Sequence, residues 1–201
     1  MFVTWHSSIT DVVLADKLWS LYEAAYLGSA RTVATREMLY RHEFDDLLSD
    51  PTNRNWVLWE DNIPIGYSLV ATDIAATRYL SKEYFDYHYP EHSRANRLRY
   101  VMWLVVHPSY EARGAALRLL REGLTHESAQ GSLVIFDSPD TIQPNSTGGF
   151  ASAVERISRR VRPEAEFSEL AVSRYFVVDF APQHDGADGA DRTQERSAQR
   201  S

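Results

Sequence analysis

Cysteine is absent from the 201-residue sequence, which removes a disulfide framework, a thiol nucleophile and a thiolate metal site together. A basic excess is absent as well: 21 Lys and Arg stand against 28 Asp and Glu, a formal net charge of -7. Nucleic acid and anionic membranes select basic surfaces, so neither is expected as a partner. No apolar run approaches the roughly 20 residues that span a bilayer. The opening MFVTWHSSITDVV has neither a basic leader nor an unbroken apolar stretch of signal-peptide length, and the cytoplasm is the expected location. No internal repeat is found.

What is present is enough apolar material for one sizeable core, with 44% hydrophobic and 12% aromatic residues. One domain is expected over residues 1–180. The tail 181–201 has almost no apolar residues and is expected to be disordered.

The pattern along the chain predicts alternating strands and helices. Phe2 to Trp5 is β-prone, and a helix follows in which Val13, Leu14, Leu18, Leu21, Tyr22 and Ala25 recur at helical spacing. A second helix is predicted from a Thr35 cap through Met38, Leu39, Phe44 and Leu47, ended by Asp50-Pro51, since proline pushes its predecessor out of helical conformation. Trp56 to Thr72 reads as a hairpin turning at Glu60 to Asn62. Between Tyr84 and His92, six aromatic or imidazole rings fall within nine residues, which suggests a lid or a substrate wall. Tyr100 to Val106 (YVMWLVV) is an apolar strand without clean alternation, stopped by His107-Pro108 and covered on both faces. A helix from about Gly114 to Glu127 and a strand from Ser132 to Phe136 complete a βαβ unit. A loop to Gly149, a helix from Phe150 to Val161 and a final long or broken strand from Phe167 to Phe180 follow.

The segment LVVHPSYEARGAALRLL, Leu104 to Leu120, together with this element order, resembles the GNAT acyltransferases. In that family a central strand leads into a helix that opens with the pattern Gln/Arg-x-x-Gly-x-Gly/Ala; the matching positions are Glu111, Gly114 and Ala116. The physical need is for unpaired N–H groups at a helix N-terminus and small residues that let pyrophosphate oxygens approach them. Gly114, Ala115 and Ala116 provide that room, with Leu117 beside them. The resemblance implies an α/β (α+β) fold with a central mixed, mostly antiparallel sheet and helices on both faces. It also implies acetyl-CoA or another acyl-CoA as co-substrate. The strand is expected to splay so that backbone groups at Leu104, Val105 and Val106 meet the pantetheine arm. Glu111 stands where relatives carry Gln or Arg, and Arg113 would offset its charge near the phosphates.

Transfer in this family is direct: an amine attacks the thioester while a base or water takes its proton and an acid protonates the thiolate. The strand Tyr100 to Val106 lacks the carboxylate many relatives have there, which leaves a water relay, His88, Glu83 or Asp86. The usual tyrosine acid has no counterpart in SPDTIQPNSTGGFASAV; Ser146 or Asn145 would at best hydrogen-bond the sulfur, and Tyr175 is a distant candidate. Tyr22, Tyr26 and Arg31 lie where relatives border the acceptor, and Tyr84 and Tyr87 belong to the aromatic insertion.

The implied activity is N-acylation, with acetyl as the first choice of group, on a small-molecule amine. A longer-chain acyl donor, or an idle domain that binds coenzyme A or a peptide as sensor or scaffold, remain as alternatives. Relatives are often dimers, so a homodimer is open. His88 and His92 are four apart, but Pro90 interrupts a helix between them and no metal is expected. Arg156, Arg159, Arg160 and Arg162 suit the negative end of a helix, or alternatively the 3′-phosphate of coenzyme A.

Overall fold

The structure is a computed structural model that describes residues 1–27, 38–138 and 149–172. The chain divides into two compact units, Met1–Ser168 and Glu169–Ser201.

Five strands form one sheet in the order β1-β2-β3-β4-β5. They are β1 (Phe2–His6), β2 (Asn53–Glu60), β3 (Ile63–Ala71), β4 (Leu98–Val106) and β5 (Leu133–Phe136). The first three pairings are antiparallel and β4–β5 is parallel, so the sheet is mixed and mostly antiparallel. The β2–β3 turn is Asp61-Asn62, both at positive φ (48° and 62°), the backbone of a tight primed hairpin turn that Asn and Asp tolerate best among non-glycine residues.

Alternation along β2 to β4 sorts the core into two faces. Val57, Tyr67, Leu69, Trp103 and Val105 pack under α1 (Val12–Tyr26) and α2 (Arg41–Ser49) with Leu18, Tyr22, Phe44 and Leu48. Trp56, Leu58, Ile65, Val70 and Val106 pack under α5 (Ala115–Gln130) with Ala115 and Leu119. The first face is aromatic: Tyr22 lies 5.1 Å from Phe44 and 5.3 Å from Trp103 between ring centroids. A deep polar pair on this face is satisfied, since the Tyr67 hydroxyl donates to Asn55 Oδ1 at 2.7 Å.

The second helix starts at Arg41, later than its apolar spacing predicts. Leu39 is buried ahead of it, its N–H donating to the Tyr22 hydroxyl at 3.0 Å. The Tyr40 N–H donates to the Glu43 carboxylate at 2.8 Å. Tertiary anchoring thus holds Met38 and Leu39 outside the helix; Thr35 is outside the described residues. The aromatic insertion forms two short helices, α3 (Lys82–His88) and α4 (Pro90–Arg94), with Pro90 at the start of the second, where its missing N–H is harmless. α6 (Phe150–Val161) packs on α5 through Val154, Ile157 and Leu120. Residues 167–172 are not strand; the rest of the expected last strand and the tail lie outside the described residues.

α5 is fixed at its far end by a buried ion cluster. Glu127, 3% exposed, pairs with Arg54 of β2, and lies 3.3 Å from Arg99 Nε of β4, an ion-pair contact without hydrogen-bond alignment. Ser132 Oγ donates to the same carboxylate at 2.7 Å, and Gly131 at φ 64° lets the Ser132 N–H return to the Glu127 carbonyl at 3.0 Å. Burial lowers the Arg99 pKa most, Arg54 lowers it further, and Glu127 opposes both. Removing the only anion of this cluster leaves two cations against each other in a dry site. Glu127→Ala is expected to lower unfolding free energy by about 3–5 kcal/mol, read by urea denaturation; a loss under 1 kcal/mol would show the cluster to be solvated.

Candidate functional site

The site originates in a break of strand pairing. β5 pairs with β4 only from Leu98↔Leu133 to Val101↔Phe136, whereas β4 runs five residues further, to Val106. Between Val101 and Trp103 the β3–β4 register shifts, leaving Met102 as an extra residue. Such a bulge bends its strand and ends regular pairing. It also flips the alternation: Tyr100, Trp103 and Val105 face α1, while Val101, Leu104 and Val106 face α5. The uneven pattern of YVMWLVV is the sequence trace of this bulge. Among the described residues, the backbone of β4 past Val101 is paired by β3 alone.

At the end of β4 the chain makes a 3-10 turn, Pro108–Arg113, and enters α5 through Gly114 at φ 72°. A Cβ there would meet nothing within 4 Å. No side chain caps α5, so the N–H groups of its first turn, at Ala115, Ala116 and Leu117, face outward without an intrahelical acceptor. Arg113 is held away from this end: it makes two bonds of 3.1 Å to the Glu60 carboxylate and lies over the Tyr110 ring. The turn is thereby tied to the β2–β3 hairpin.

Beside Gly114 a groove of about 640 Å³ runs between α5 and α6, lined by Leu117, Arg118, Arg121, Thr125, Arg156, Ile157 and Arg160 among others. Of its four arginines only Arg121 has an ion pair among the described residues, a long one of 3.4 Å to Glu122. A chain with net charge -7 thus concentrates unneutralised positive charge next to an uncapped helix N-terminus. The unpaired edge of β4 thus leads through one turn into the uncapped start of α5, and the arginine-lined groove adjoins that start.

Residues 15–136 match the acetyltransferase (GNAT) family. The chain belongs to that family. As a GNAT acetyltransferase it is an enzyme that uses an acyl-CoA thioester as co-substrate. Solved structures with the same fold include an aminoglycoside acetyltransferase from an uncultured soil metagenomic sample in complex with sisomicin, at 15% identity and TM-score 0.51, covering 89% of this chain and 96% of that one. A putative acetyltransferase from Pyrococcus horikoshii shares it at 14% identity and TM-score 0.53, covering 69% of this chain and 82% of that one. Among curated proteins none matches the sequence.

The predicted site residues fall into different places in this GNAT fold. Leu104, Val105, Val106, Gly114, Ala115, Ala116 and Leu117 are brought together along the parted strand and the α5 start. Tyr22 is a fully buried core residue, while Tyr26, at the end of α1, is half-buried and 4.7 Å from it. In the insertion, Phe85 turns inward onto Ile74, Leu98 and Tyr100, and Tyr84, Tyr87 and His88 stay exposed on α3. Glu83 accepts from the Ser81 hydroxyl, and Asp86 accepts from Lys82 and Ser93. These bonds lower both carboxyl pKa values, for Glu83 mainly through its own backbone N–H and for Asp86 mainly through Lys82. Arg31, Asn145, Ser146 and Tyr175 lie outside the described residues, as does the Glu111 side chain. Arg156 and Arg160 line the groove, whereas Arg159 pairs with Glu155 at 3.0 Å.

Sequence reasoning missed two features. Arg118 and Arg121 join the groove from α5 at a spacing that reads as ordinary surface charge. Tyr100 Oη donates to Asp137 Oδ1 at 2.6 Å, a pair that only the β4–β5 register brings together. Burial, then the bond to Asp137, raises the Tyr100 pKa far above the usual phenol value, so this hydroxyl stays a donor.

The Gly114 backbone gives a direct check on the cradle. Because a side chain there is strained by its positive φ and not by contact, Gly114→Ala is expected to lower stability by about 1 kcal/mol. Urea denaturation would show a lower midpoint at unchanged slope. Unchanged stability would mean that the turn relaxes to another conformation.

Proposed function

We propose that the protein transfers an acetyl group from acetyl-CoA directly to the nitrogen of a small-molecule amine. The parting of β4 from β5 after Val101 carries this reading, because it opens a backbone edge that leads into the uncapped start of α5. The bound thioester supplies an activated carbonyl carbon: the amine nitrogen bonds to it as the C–S bond breaks, the nitrogen loses a proton and the thiolate gains one.

The chain's contribution is largely placement. Free backbone groups of β4 between Met102 and Val106 can bond the amide-bearing arm. The α5 N–H groups beside Gly114 meet the pyrophosphate, where the helix dipole favours negative charge. Arg118, Arg121, Arg156 and Arg160 take the nucleotide end with its 3′-phosphate. With Glu83 and Asp86 bonded to neighbours and exposed on the insertion, water is the proposed proton acceptor; His88 stays open as a second route to solvent.

A small acceptor is favoured over a protein tail by the aromatic walls of the α1 face, where Tyr26, Tyr79 and Tyr100 gather. One of the structures sharing the fold holds sisomicin, a small amine, which agrees with this choice.

Thermal unfolding with acetyl-CoA tests the coenzyme site, since a ligand at 100 times its Kd stabilises by about 2.7 kcal/mol. The groove adds a sharper expectation: coenzyme A should bind roughly tenfold more tightly than its 3′-dephospho form, about 1.4 kcal/mol. The double variant Arg156→Ala, Arg160→Ala should abolish that difference. No stabilisation by any thioester would overturn the reading, and stabilisation without thiol release for any amine would make the protein an idle binder.

A further inference from the structure

The Tyr100–Asp137 pair has a placement that a structural hydrogen bond does not require. Asp137 directly follows Phe136, the last β5 residue paired to β4, and so stands where the two strands part. Phe136 packs toward α6 with Val154 and Phe150; by alternation Asp137 points to the other side, the α1 face. Tyr100 is paired with Ile135 and buried on that same face. A second ring packs on the phenol: Tyr79 lies 6.1 Å away between centroids. Residues of β4, of the segment ahead of α3 and of the end of β5 therefore meet at the Tyr100 phenol, and Asp137 is the carboxylate bonded to it.

That carboxylate is also uncompensated. Asp137 is exposed, only Oδ1 is engaged, and among the described residues no Lys or Arg pairs with it. The nearby cation, Arg78, sits over Tyr79, bonds its hydroxyl at 3.1 Å and reaches toward Glu43. A carboxylate held by a phenol on one oxygen and left with the other free is an environment that attracts an ammonium group through one charge-assisted hydrogen bond.

We propose that Asp137 binds the acceptor as an ammonium ion and that Tyr100 is the residue positioning it, so that the substrate class is cationic primary amines. This rests on the acetyl-transfer reading above. Asp137 holds the nitrogen at the mouth of the parted strands; the proton leaves to water before attack, and the product amide, being neutral, loses the ion pair and is released.

The test uses the full chain with a fixed panel of probes: sisomicin, spermidine and tyramine as amines, and the neutral alcohol of tyramine's skeleton, tyrosol, as control. Initial rates of thiol release with acetyl-CoA are expected for at least one amine and not for tyrosol. Asp137→Asn should raise KM for that amine at least tenfold while the Kd for acetyl-CoA stays within twofold of wild type. Tyr100→Phe should raise KM several-fold, with kcat less affected. The KM-against-kcat split excludes a merely structural role, and unchanged acetyl-CoA binding excludes misfolding. Asp137→Asn with unaltered amine KM, or turnover of no panel member by a chain that binds acetyl-CoA, overturns this proposal and leaves the coenzyme reading intact. Loss of acetyl-CoA binding in the wild-type protein would instead sink the reading beneath it.

Discussion

The extra residue at Met102 is the constraint on which the rest of the site depends. A strand paired on both sides has every N–H and C=O engaged and offers nothing to a ligand. By inserting one residue between Val101 and Trp103, β4 keeps its partner β3 and parts from β5. The backbone groups that this releases would be costly if buried without partners. They are tolerated because they border an opening, and an extended molecule with its own amides can satisfy them. The same bulge moves Trp103 onto the aromatic face under α1 and Leu104 onto the face under α5, so the two cores and the opening between β4 and β5 are set by one register change.

Charge is arranged to suit that geometry. The chain is acidic overall, yet four arginines gather in one groove while several others are held by carboxylates. Arg54 and Arg99 share the Glu127 carboxylate and anchor the far end of α5. Arg113 is neutralised by Glu60 and ties the turn ahead of α5 to the hairpin. In the α5–α6 groove, Arg118, Arg156 and Arg160 have no ion pair among the described residues. Pairing the structural arginines and leaving most of the groove arginines unpaired localises attraction for phosphate to the groove along α5, whereas the net charge of -7 would repel a polyanion elsewhere.

How much of this was legible in the sequence follows from which interactions are local. The hairpin at Asp61-Asn62, the α5 start at Gly114 and the helix from Phe150 to Val161 were readable because turn chemistry and helical period act within a few residues. The start of α2 was not, since Leu39 is held by the Tyr22 hydroxyl, a contact made across 17 positions. The bulge left only an irregular apolar pattern, which is equally the signature of a strand covered on both faces. The Arg118–Arg156 side of the groove and the Tyr100–Asp137 pair were invisible, because each joins residues 37 or more apart through element packing.

The aromatic insertion shows how the same residues divide once a helix forms. From Tyr84 to Tyr89 the sequence offers five rings with no evident inward side. Helical geometry puts Phe85 and Tyr89, four apart, on one face, and these two stack at 5.9 Å with Phe85 buried against Leu98 and Tyr100. Tyr84, Tyr87 and His88 are then obliged to point outward. The insertion therefore acts on the α1 face chiefly by packing: Phe85 presses on the strand segment that carries Tyr100, and Tyr79, on the approach to α3, closes over the Tyr100 ring. The contacts to Tyr100 are made by Tyr79 and Phe85 and not by the exposed rings of the run, and Tyr100 in turn holds Asp137 at the point where the strands part.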